Sequence, residues 1–169
     1  AVAARRLPYA RLHEVDAARL NFEAQYDLVG LFDVLEHIED DGAVLAGVAR
    51  ALTPGGHIVL TVPQHEFLWS HLDVLVGHRR RYRTLHLAGQ LRGAGFEVRA
   101  MISTGALLLP VAALARFAYR NAAGVADILR LGAFANASFH AVNGIERALI
   151  RRGVRFPFGD SLLAIARKL

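Results

Sequence analysis

Residues 26–63 constrain the fold more than any other part of the chain, because two short apolar runs flank one helical pattern. The runs, Tyr26–Phe32 and residues 58–62, are too short for helices and hydrophobic enough for strands buried on both faces. Between them, Asp40 and Asp41 place negative charge at a helix start, and apolar residues recur at helical spacing until a Thr-Pro-Gly-Gly turn. The pattern predicts a right-handed βαβ unit, and therefore an α/β fold with helices on both faces of a parallel sheet.

The composition predicts one globular domain without disulfides. The chain has 169 residues, of which 54% are hydrophobic, and it has no cysteine, so a thiolate zinc site is also excluded. The net charge of +5 is unevenly distributed, since residues 20–49 hold seven acids and no lysine or arginine, whereas residues 77–100 hold six arginines. A nucleic-acid-binding or membrane-surface module would explain this asymmetry. Arginines on solvated faces explain it more simply, so nucleic acid is not predicted as a partner.

The βα alternation continues after this unit. Residues 64–83 have no clear periodicity and are rich in charged and aromatic side chains, which predicts a mostly irregular, functional loop. Residues 84–93 then show a helical pattern, and residues 96–102 alternate as a strand.

Residues 105–155 are predicted to form a helical insertion, or lid, before a final strand at residues 161–166. Residues 101–115 carry no charge, but they contain Pro110 and fall short of the roughly 20 residues that cross a bilayer. No transmembrane span is therefore predicted. The arginines of the insertion leave an amphipathic element as an alternative. We expect a cytoplasmic protein, with peripheral membrane contact as the variant.

Four motifs occur in order along the chain: Phe-Asp-Val-Leu-Glu-His-Ile at residues 32–38, Leu-Thr-Pro-Gly-Gly at 52–56, Thr-Val-Pro at 61–63, and Gly-Asp-Ser-Leu-Leu-Ala-Ile-Ala-Arg-Lys at 159–168. By these motifs and their spacing, the chain resembles a class I S-adenosylmethionine-dependent methyltransferase of type 11/12. The resemblance implies a partial Rossmann-like methyltransferase sheet and S-adenosylmethionine as cofactor. The family's third to seventh strands would lie at residues 11–15, 26–32, 57–62, 96–102 and 161–166.

The same resemblance shows which family features have no counterpart. There is no glycine-rich strand-to-helix turn and no ribose-binding acid, because Gly93 and Gly95 lead into a strand. Those features belong to the family's first and second strands. Residues 1–169 are therefore expected to be a single, N-terminally truncated methyltransferase domain that neither binds the cofactor usefully nor turns over on its own.

Four residues are implied by the resemblance to contact the cofactor. Asp16, after the strand expected at residues 11–15, would accept a hydrogen bond from the adenine amine, with Ala17 beside it. A helix cap is the alternative role of Asp16. Phe32 and Asp33 would lie at the end of the next strand, near the methionine moiety, and core packing is the alternative for Phe32.

His37 is the predicted catalytic residue, placed by the resemblance at the methyl-transfer site. Methyl transfer mainly needs alignment of the nucleophile with the methyl group, plus proton removal if oxygen is attacked. On one helical turn Asp33 and His37 would share a face and could hold a divalent ion. The aspartate is short for that reach, so no metal is predicted. A hydrogen-bonded structural role is the alternative for His37.

The acceptor is expected to be a small or lipid-like, amphiphilic and anionic molecule, because arginine suits phosphate and carboxylate groups. The side chains predicted to bind it belong to the loop after the strand at residues 57–62: Trp69, His78, Arg79, Arg80 and Tyr82. These arginines could instead pair internally with Asp73 or Glu66. A nicotinamide-dependent oxidoreductase would share the architecture but fits the motifs less well, and a basic nucleic-acid- or membrane-binding module is the non-enzyme alternative.

Overall fold

A computed structural model describes residue 6, residues 9–118 and residues 133–169 of the chain. Its centre is a four-stranded sheet of β1 (Tyr26–Phe32), β2 (Leu52–Pro63), β3 (Phe96–Thr104) and β4 (Ser161–Lys168), in the spatial order β1-β2-β4-β3. β1 and β2 are parallel, and β4 is antiparallel to both β2 and β3. This is the partial Rossmann-like sheet that the sequence predicts, with the last strand inserted in the antiparallel sense.

Five α-helices accompany the sheet in the described part of the chain: α1 (Asp41–Ala51), α2 (His71–Leu75), α3 (Thr84–Gly93), α4 (Leu109–Ala118) and α5 (Ala133–Arg151). α1 begins where the sequence predicts, because the Asp40 carboxylate accepts a hydrogen bond from the Ala43 backbone N–H at 2.8 Å. The loop predicted at residues 64–83 contains α2 and one turn of 3₁₀ helix, Glu66–Leu68.

β2 follows α1 directly and includes the Thr-Pro-Gly-Gly stretch that the sequence predicts as a turn. Tyr26 pairs with Leu52 but Leu28 pairs with His57, so residues 53–56 bulge out of the ladder. A β-carbon at Gly56 would lie 3.0 Å from the nearest backbone carbonyl oxygen, a tight contact that favours glycine at this bend.

The hydrophobic core lies on one face of the sheet. Ile58, Leu60 and Val62 of β2 are fully buried there, beneath α1 and α3, which contact each other. On the opposite face Leu28 and Phe32 of β1 are 62% and 63% exposed. The prediction of helices on both faces is therefore wrong for the described residues. The reason is geometric. In the sheet order β1-β2-β4-β3, the connection from β1 to β2 and the connection from β2 to β3 run toward the same edge of the sheet. Right-handed connections that run in the same direction place their helices on the same face.

Residues 11–15 do not form the strand that the sequence predicts. Within the described residues β1 pairs only with β2, so its outer edge is free, and residues 11–15 do not add to it. The chain instead makes one turn of 3₁₀ helix, Ala17–Arg19, and runs beside α1, where the Leu20 carbonyl accepts a hydrogen bond from Arg50 Nη2 at 3.2 Å.

The insertion is helical where it is described, with α4 and α5 on either side of residues 119–132, which lie outside the described part. Glu146 of α5 connects the second helix of the insertion to its first residues, because its buried carboxylate accepts hydrogen bonds from the backbone N–H groups of Gly105 (2.6 Å) and Leu107 (2.9 Å), just after β3. The role of the insertion as a lid stays a prediction. None of the helices among the described residues combines the length and apolar character that a bilayer crossing requires.

Candidate functional site at the carboxyl edge of the sheet

The carboxyl ends of β1 and β2 lie at the same edge of the sheet, where ligands bind in open α/β folds. β1 ends at Phe32, and Asp33 follows with a positive φ of 53°. The Asp33 backbone N–H donates to the Thr61 carbonyl oxygen, and its carboxylate accepts a hydrogen bond from the Thr61 hydroxyl, both at 3.1 Å. β2 thus holds an exposed aspartate in a strained conformation, a combination that is concentrated at functional sites.

Glu36 is the buried acid of this edge. One turn of 3₁₀ helix, Leu35–His37, directs its side chain inward, where 0% of its surface is exposed. Neither carboxylate oxygen has a hydrogen-bond partner among the described residues. Burial raises the pKa of Glu36 above its usual value, and the nearby charge of Asp33 adds to the rise. A buried carboxylate in this condition is destabilising unless something else neutralises it.

Two histidines face Glu36. His37 Nε2 lies 4.0 Å and His78 Nε2 lies 3.8 Å from Glu36 Oε1. On the other side of each ring, His37 Nδ1 is 3.1 Å from the Gly77 carbonyl oxygen and His78 Nδ1 is 3.0 Å from Asp73 Oδ1. The ligand atoms of Glu36, His37 and His78 all lie within 4.8 Å of one another. We call these three residues the imidazole–carboxylate cluster.

Asp73 connects the cluster to a buried ion-pair network. Although burial opposes it, the hydrogen bond with His78 and the charge of Arg81 hold the pKa of Asp73 below its usual value. Arg81 Nε donates to Asp73 Oδ1 at 2.8 Å, and Arg81 Nη1 donates to the Gln64 carbonyl oxygen at 3.0 Å and to Asp160 Oδ1 at 3.3 Å. Asp73 also accepts a hydrogen bond from the Ser70 backbone N–H at the start of α2. Arg81 therefore holds the Asp73 carboxylate in position, and Asp73 in turn orients the His78 ring.

The arginines predicted to bind the acceptor are engaged within the protein. Arg79 Nη1 lies 3.5 Å from Glu39 Oε2, and Arg80 Nη1 lies 3.1 Å from Asp41 Oδ2. The Tyr82 hydroxyl donates to the same Asp41 oxygen at 2.8 Å, and burial together with this bond raises the Tyr82 pKa. Tyr82 is a core residue with 1% of its surface exposed, and it also lines a cavity with Arg80 and Arg83. Internal pairing occurs, although for Arg79 and Arg80 the partners are not the acids that the sequence suggested.

Two cavities open at this edge. The smaller, of 370 Å³, is lined by polar side chains that include Asp33, Glu36, Asp73 and His78. The larger, of 680 Å³, lies between the end of β3 and the insertion. Its lining combines the apolar side chains of Leu108, Val111, Phe139 and Ile150 with polar ones such as Asn143 and Glu146. Asp160 and Ser161 line both cavities. The smaller cavity, which we call the polar cleft, is therefore adjacent to the larger one.

The other predicted site residues lie apart from the cluster. Asp16 caps the 3₁₀ helix Ala17–Arg19 through the Ala18 backbone N–H at 3.0 Å, which is the alternative role that the sequence left open. Ala17 is half-buried against the core. Trp69 follows the turn Glu66–Leu68 and is partly exposed.

Sequence reasoning named His37 and His78 as site residues but did not assign Glu36 or Asp73 a role in the site. The available signal for Glu36 was a single acid beside a histidine directly after a buried strand. Nothing in the sequence shows that this acid points inward.

The model of a methyltransferase domain matches residues 4–101, which include β1, α1, β2, α3 and most of β3. The chain belongs to this methyltransferase-domain family. Among curated proteins, none matches the sequence significantly.

Solved structures share the fold of this methyltransferase domain at low sequence identity. The [4+2]-cyclase SpnF is 21% identical with a TM-score of 0.58, and the match covers 99% of this chain and 60% of the cyclase. An S-adenosylmethionine-dependent methyltransferase from Mesorhizobium loti is 16% identical with a TM-score of 0.58, covering 99% of this chain and 75% of that one.

A third similar structure, the Haemonchus contortus phosphoethanolamine N-methyltransferase 2, was solved with S-adenosyl-L-methionine. It is 18% identical with a TM-score of 0.51, and the match covers 90% of this chain and 36% of that one. The chain thus spans only 60% of the length of the cyclase and 36% of the length of this N-methyltransferase.

Proposed function

We propose that this methyltransferase domain is part of an enzyme that transfers a methyl group from S-adenosylmethionine to a small, amphiphilic acceptor. The observation that carries the proposal is the pair of adjacent cavities at the carboxyl edge of the sheet, the larger with a group of apolar side chains in its lining and the smaller with several ionisable ones. The apolar part of an acceptor fits the cavity beside the insertion, and its polar end then reaches the cleft beside Asp33. Family membership supports the reaction class.

The residues after β1 fit the methionine end of the cofactor. The Phe32 ring and the Asp33 carboxylate are both exposed and adjacent in sequence at the strand end. A carboxylate attracts an ammonium group, and an aromatic face attracts a cation. S-adenosylmethionine supplies the methyl group on a sulfonium centre that is already a good leaving group. We assign the adenine to Asp16 and Ala17, where the Asp16 carboxylate would have to leave its present cap bond.

The domain's own contribution is alignment and proton removal. His37 is the most exposed member of the imidazole–carboxylate cluster, and we propose that it acts on the acceptor's proton. An anionic acceptor group would have to displace Glu39 from Arg79 or Asp41 from Arg80. Because the open cleft is lined by carboxylates, a neutral or basic polar group suits it better.

The cofactor residues in this chain form only one wall of a binding site. The 169 residues include no glycine-rich strand-to-helix turn, whose backbone would approach the cofactor closely. Binding that depends on several preorganised contacts fails when its central contacts are missing. We therefore expect residues 1–169 alone to show no saturable S-adenosylmethionine binding by calorimetry. Micromolar binding by the chain alone would contradict this expectation.

The function is tested in a longer protein, in which two βα units with a glycine-rich turn, roughly 60 to 80 residues, precede residue 1. This protein should bind S-adenosylmethionine, and Asp33→Ala should weaken the binding about tenfold or more, as loss of a charged hydrogen bond does. The control is Asp27→Ala, which removes an exposed acid at the opposite end of the same strand. No binding, or equal losses in both variants, would refute the proposal.

A further inference from the structure

We propose that the imidazole–carboxylate cluster of Glu36, His37 and His78 binds a divalent transition-metal ion. The first observation is the state of Glu36, which is fully buried and whose carboxylate oxygens receive no hydrogen bond from the part of the chain that the structure describes. Water-inaccessible carboxylates are normally paired with a donor or coordinate a metal. The inference does not depend on the methyl-transfer reaction, because it stands on the donor set alone.

The second observation is the orientation of the two imidazoles. His37 Nδ1 faces a carbonyl oxygen and His78 Nδ1 faces the Asp73 carboxylate, and both of these oxygens can only accept hydrogen bonds. Each Nδ1 therefore carries the proton in the neutral ring, and each Nε2 presents a lone pair. The two Nε2 atoms point toward Glu36 Oε1, so three electron-pair donors face one another with no proton between them.

The distances between the imidazole nitrogens and the Glu36 carboxylate favour a shared metal ion over hydrogen bonds. At 3.8 and 4.0 Å, the two contacts between imidazole nitrogen and carboxylate oxygen are too long for hydrogen bonds. Donors that bind one zinc-like ion at about 2.0–2.2 Å in tetrahedral geometry lie about 3.4 Å apart. To reach this separation, the two imidazole–carboxylate contacts of 3.8 and 4.0 Å would need to shorten by about 0.4 and 0.6 Å, and the two imidazoles, whose ligand atoms lie within 4.8 Å of each other, by up to about 1.4 Å. Rotation of the side chains can provide such changes.

The surroundings of the cluster match those of metal sites. A metal-bound histidine usually donates its other N–H to a carboxylate or a backbone carbonyl, and here His78 has the carboxylate and His37 has the carbonyl. The polar cleft of 370 Å³ is lined by Glu36 and His78, so an ion can reach the site from solvent. Glu36 and His37 belong to one turn of the chain, and α2 positions His78 through Asp73.

The donor set determines the kind of ion. Two imidazole nitrogens and one carboxylate oxygen suit Zn²⁺, Fe²⁺, Co²⁺ or Mn²⁺, whereas Mg²⁺ and Ca²⁺ prefer oxygen donors alone. Three protein ligands leave coordination positions for water or an acceptor hydroxyl, whose proton the ion would make more acidic. In the metal-bound protein His37 would then be a ligand, and proton loss from the acceptor would be assisted by the ion.

The test is calorimetric titration of the chelator-treated 169-residue chain with Co²⁺ and, separately, with Mg²⁺. We expect one Co²⁺ per chain, bound at least about tenfold more tightly than Mg²⁺, with visible absorption typical of nitrogen and oxygen ligands. Glu36→Gln and His78→Gln should each lower the Co²⁺ affinity at least about tenfold. The matched control is His86→Gln, which alters an exposed histidine outside the cluster and should leave the affinity unchanged.

Folding is monitored independently, by thermal melting of every variant without metal. Metal-free Glu36→Gln should melt at or above the wild-type temperature, because it replaces a buried unpaired charge with a neutral amide of the same shape. A lower melting temperature of this variant would contradict the unpaired state of Glu36. Absence of saturable Co²⁺ binding would overturn the metal site. Equal binding by wild type, Glu36→Gln and His78→Gln would also overturn it, because surface histidines would then explain the binding.

Discussion

Arg81→Met tests whether the buried ion-pair network holds the loop between β2 and α3 in place. Arg81 and Asp73 each have only 2% of their side-chain surface exposed, and their contact is 2.8 Å. Methionine keeps most of the aliphatic stem of arginine, so the change removes the charge and the hydrogen bonds more than the volume. Asp73 would be left as a buried carboxylate without its strongest charged partner.

Removing one partner of a buried ion pair typically lowers the free energy of unfolding by about 3–5 kcal/mol. For a domain of this size, each kcal/mol changes the melting temperature by about 2–4 °C, so Arg81→Met should melt roughly 6–20 °C lower than wild type. Arg83 provides the control in the same loop, because its ion pair with Glu66 is exposed by 71% and 59% at the two side chains. Arg83→Met should cost about 1 kcal/mol or less.

The assay is urea denaturation of wild type, Arg81→Met and Arg83→Met, followed by circular dichroism under identical conditions. A loss for Arg81→Met no larger than that for Arg83→Met would refute the reasoning, because it would show that Asp73 does not depend on Arg81. Equal denaturant slopes in the three proteins would confirm that the midpoints report stability and not a change in the unfolded state.

Two further substitutions test the contacts that fix the site's framework. Tyr82→Phe removes the hydroxyl that donates to Asp41 at 2.8 Å. In urea denaturation it should lower the free energy of unfolding by about 1.5–3 kcal/mol, as loss of a hydrogen bond to a charged group does. No loss would mean that Arg80 alone satisfies Asp41. Glu146→Gln places an amide N–H₂ against one of the backbone donors of Gly105 and Leu107. It should lower the free energy of unfolding by about 1–3 kcal/mol in the same assay. The control is Glu97→Gln, at a half-exposed acid on β3, which should leave the free energy of unfolding nearly unchanged.

The sheet could be predicted from sequence wherever hydrophobic pattern and chain order determine it. β1, α1, β2, α3, β3 and β4 all occur within a few residues of their predicted bounds. The strand predicted at residues 11–15 does not form, because a strand needs a partner and a short sequence segment does not show whether one is present. The bulge at residues 53–56 was missed because Pro-Gly-Gly marks a turn equally well outside a strand as within one.

The site could be predicted only in part, for a different reason. His37 follows β1 closely, so its place at the carboxyl edge follows from the βαβ unit. His78 meets it through a tertiary contact that spans forty residues of sequence, and that contact depends on α2 and on the bonds of Asp73. The buried state of Glu36 arises from the one-turn helix Leu35–His37, which is too short to leave a periodic signal.

The uneven charge distribution along the sequence has a structural explanation in this contact. The acidic segment, residues 20–49, supplies Glu36, Glu39 and Asp41, and the basic segment, residues 77–100, supplies their neighbours. His78 faces Glu36, Arg79 pairs with Glu39, and Arg80 pairs with Asp41. Two of the six arginines of the basic segment, Arg79 and Arg80, therefore help to attach the loop before α3 to the residues between β1 and α1. Of the three acids that face this loop, Glu36 is the one whose carboxylate has a histidine and not an arginine as its neighbour among the described residues.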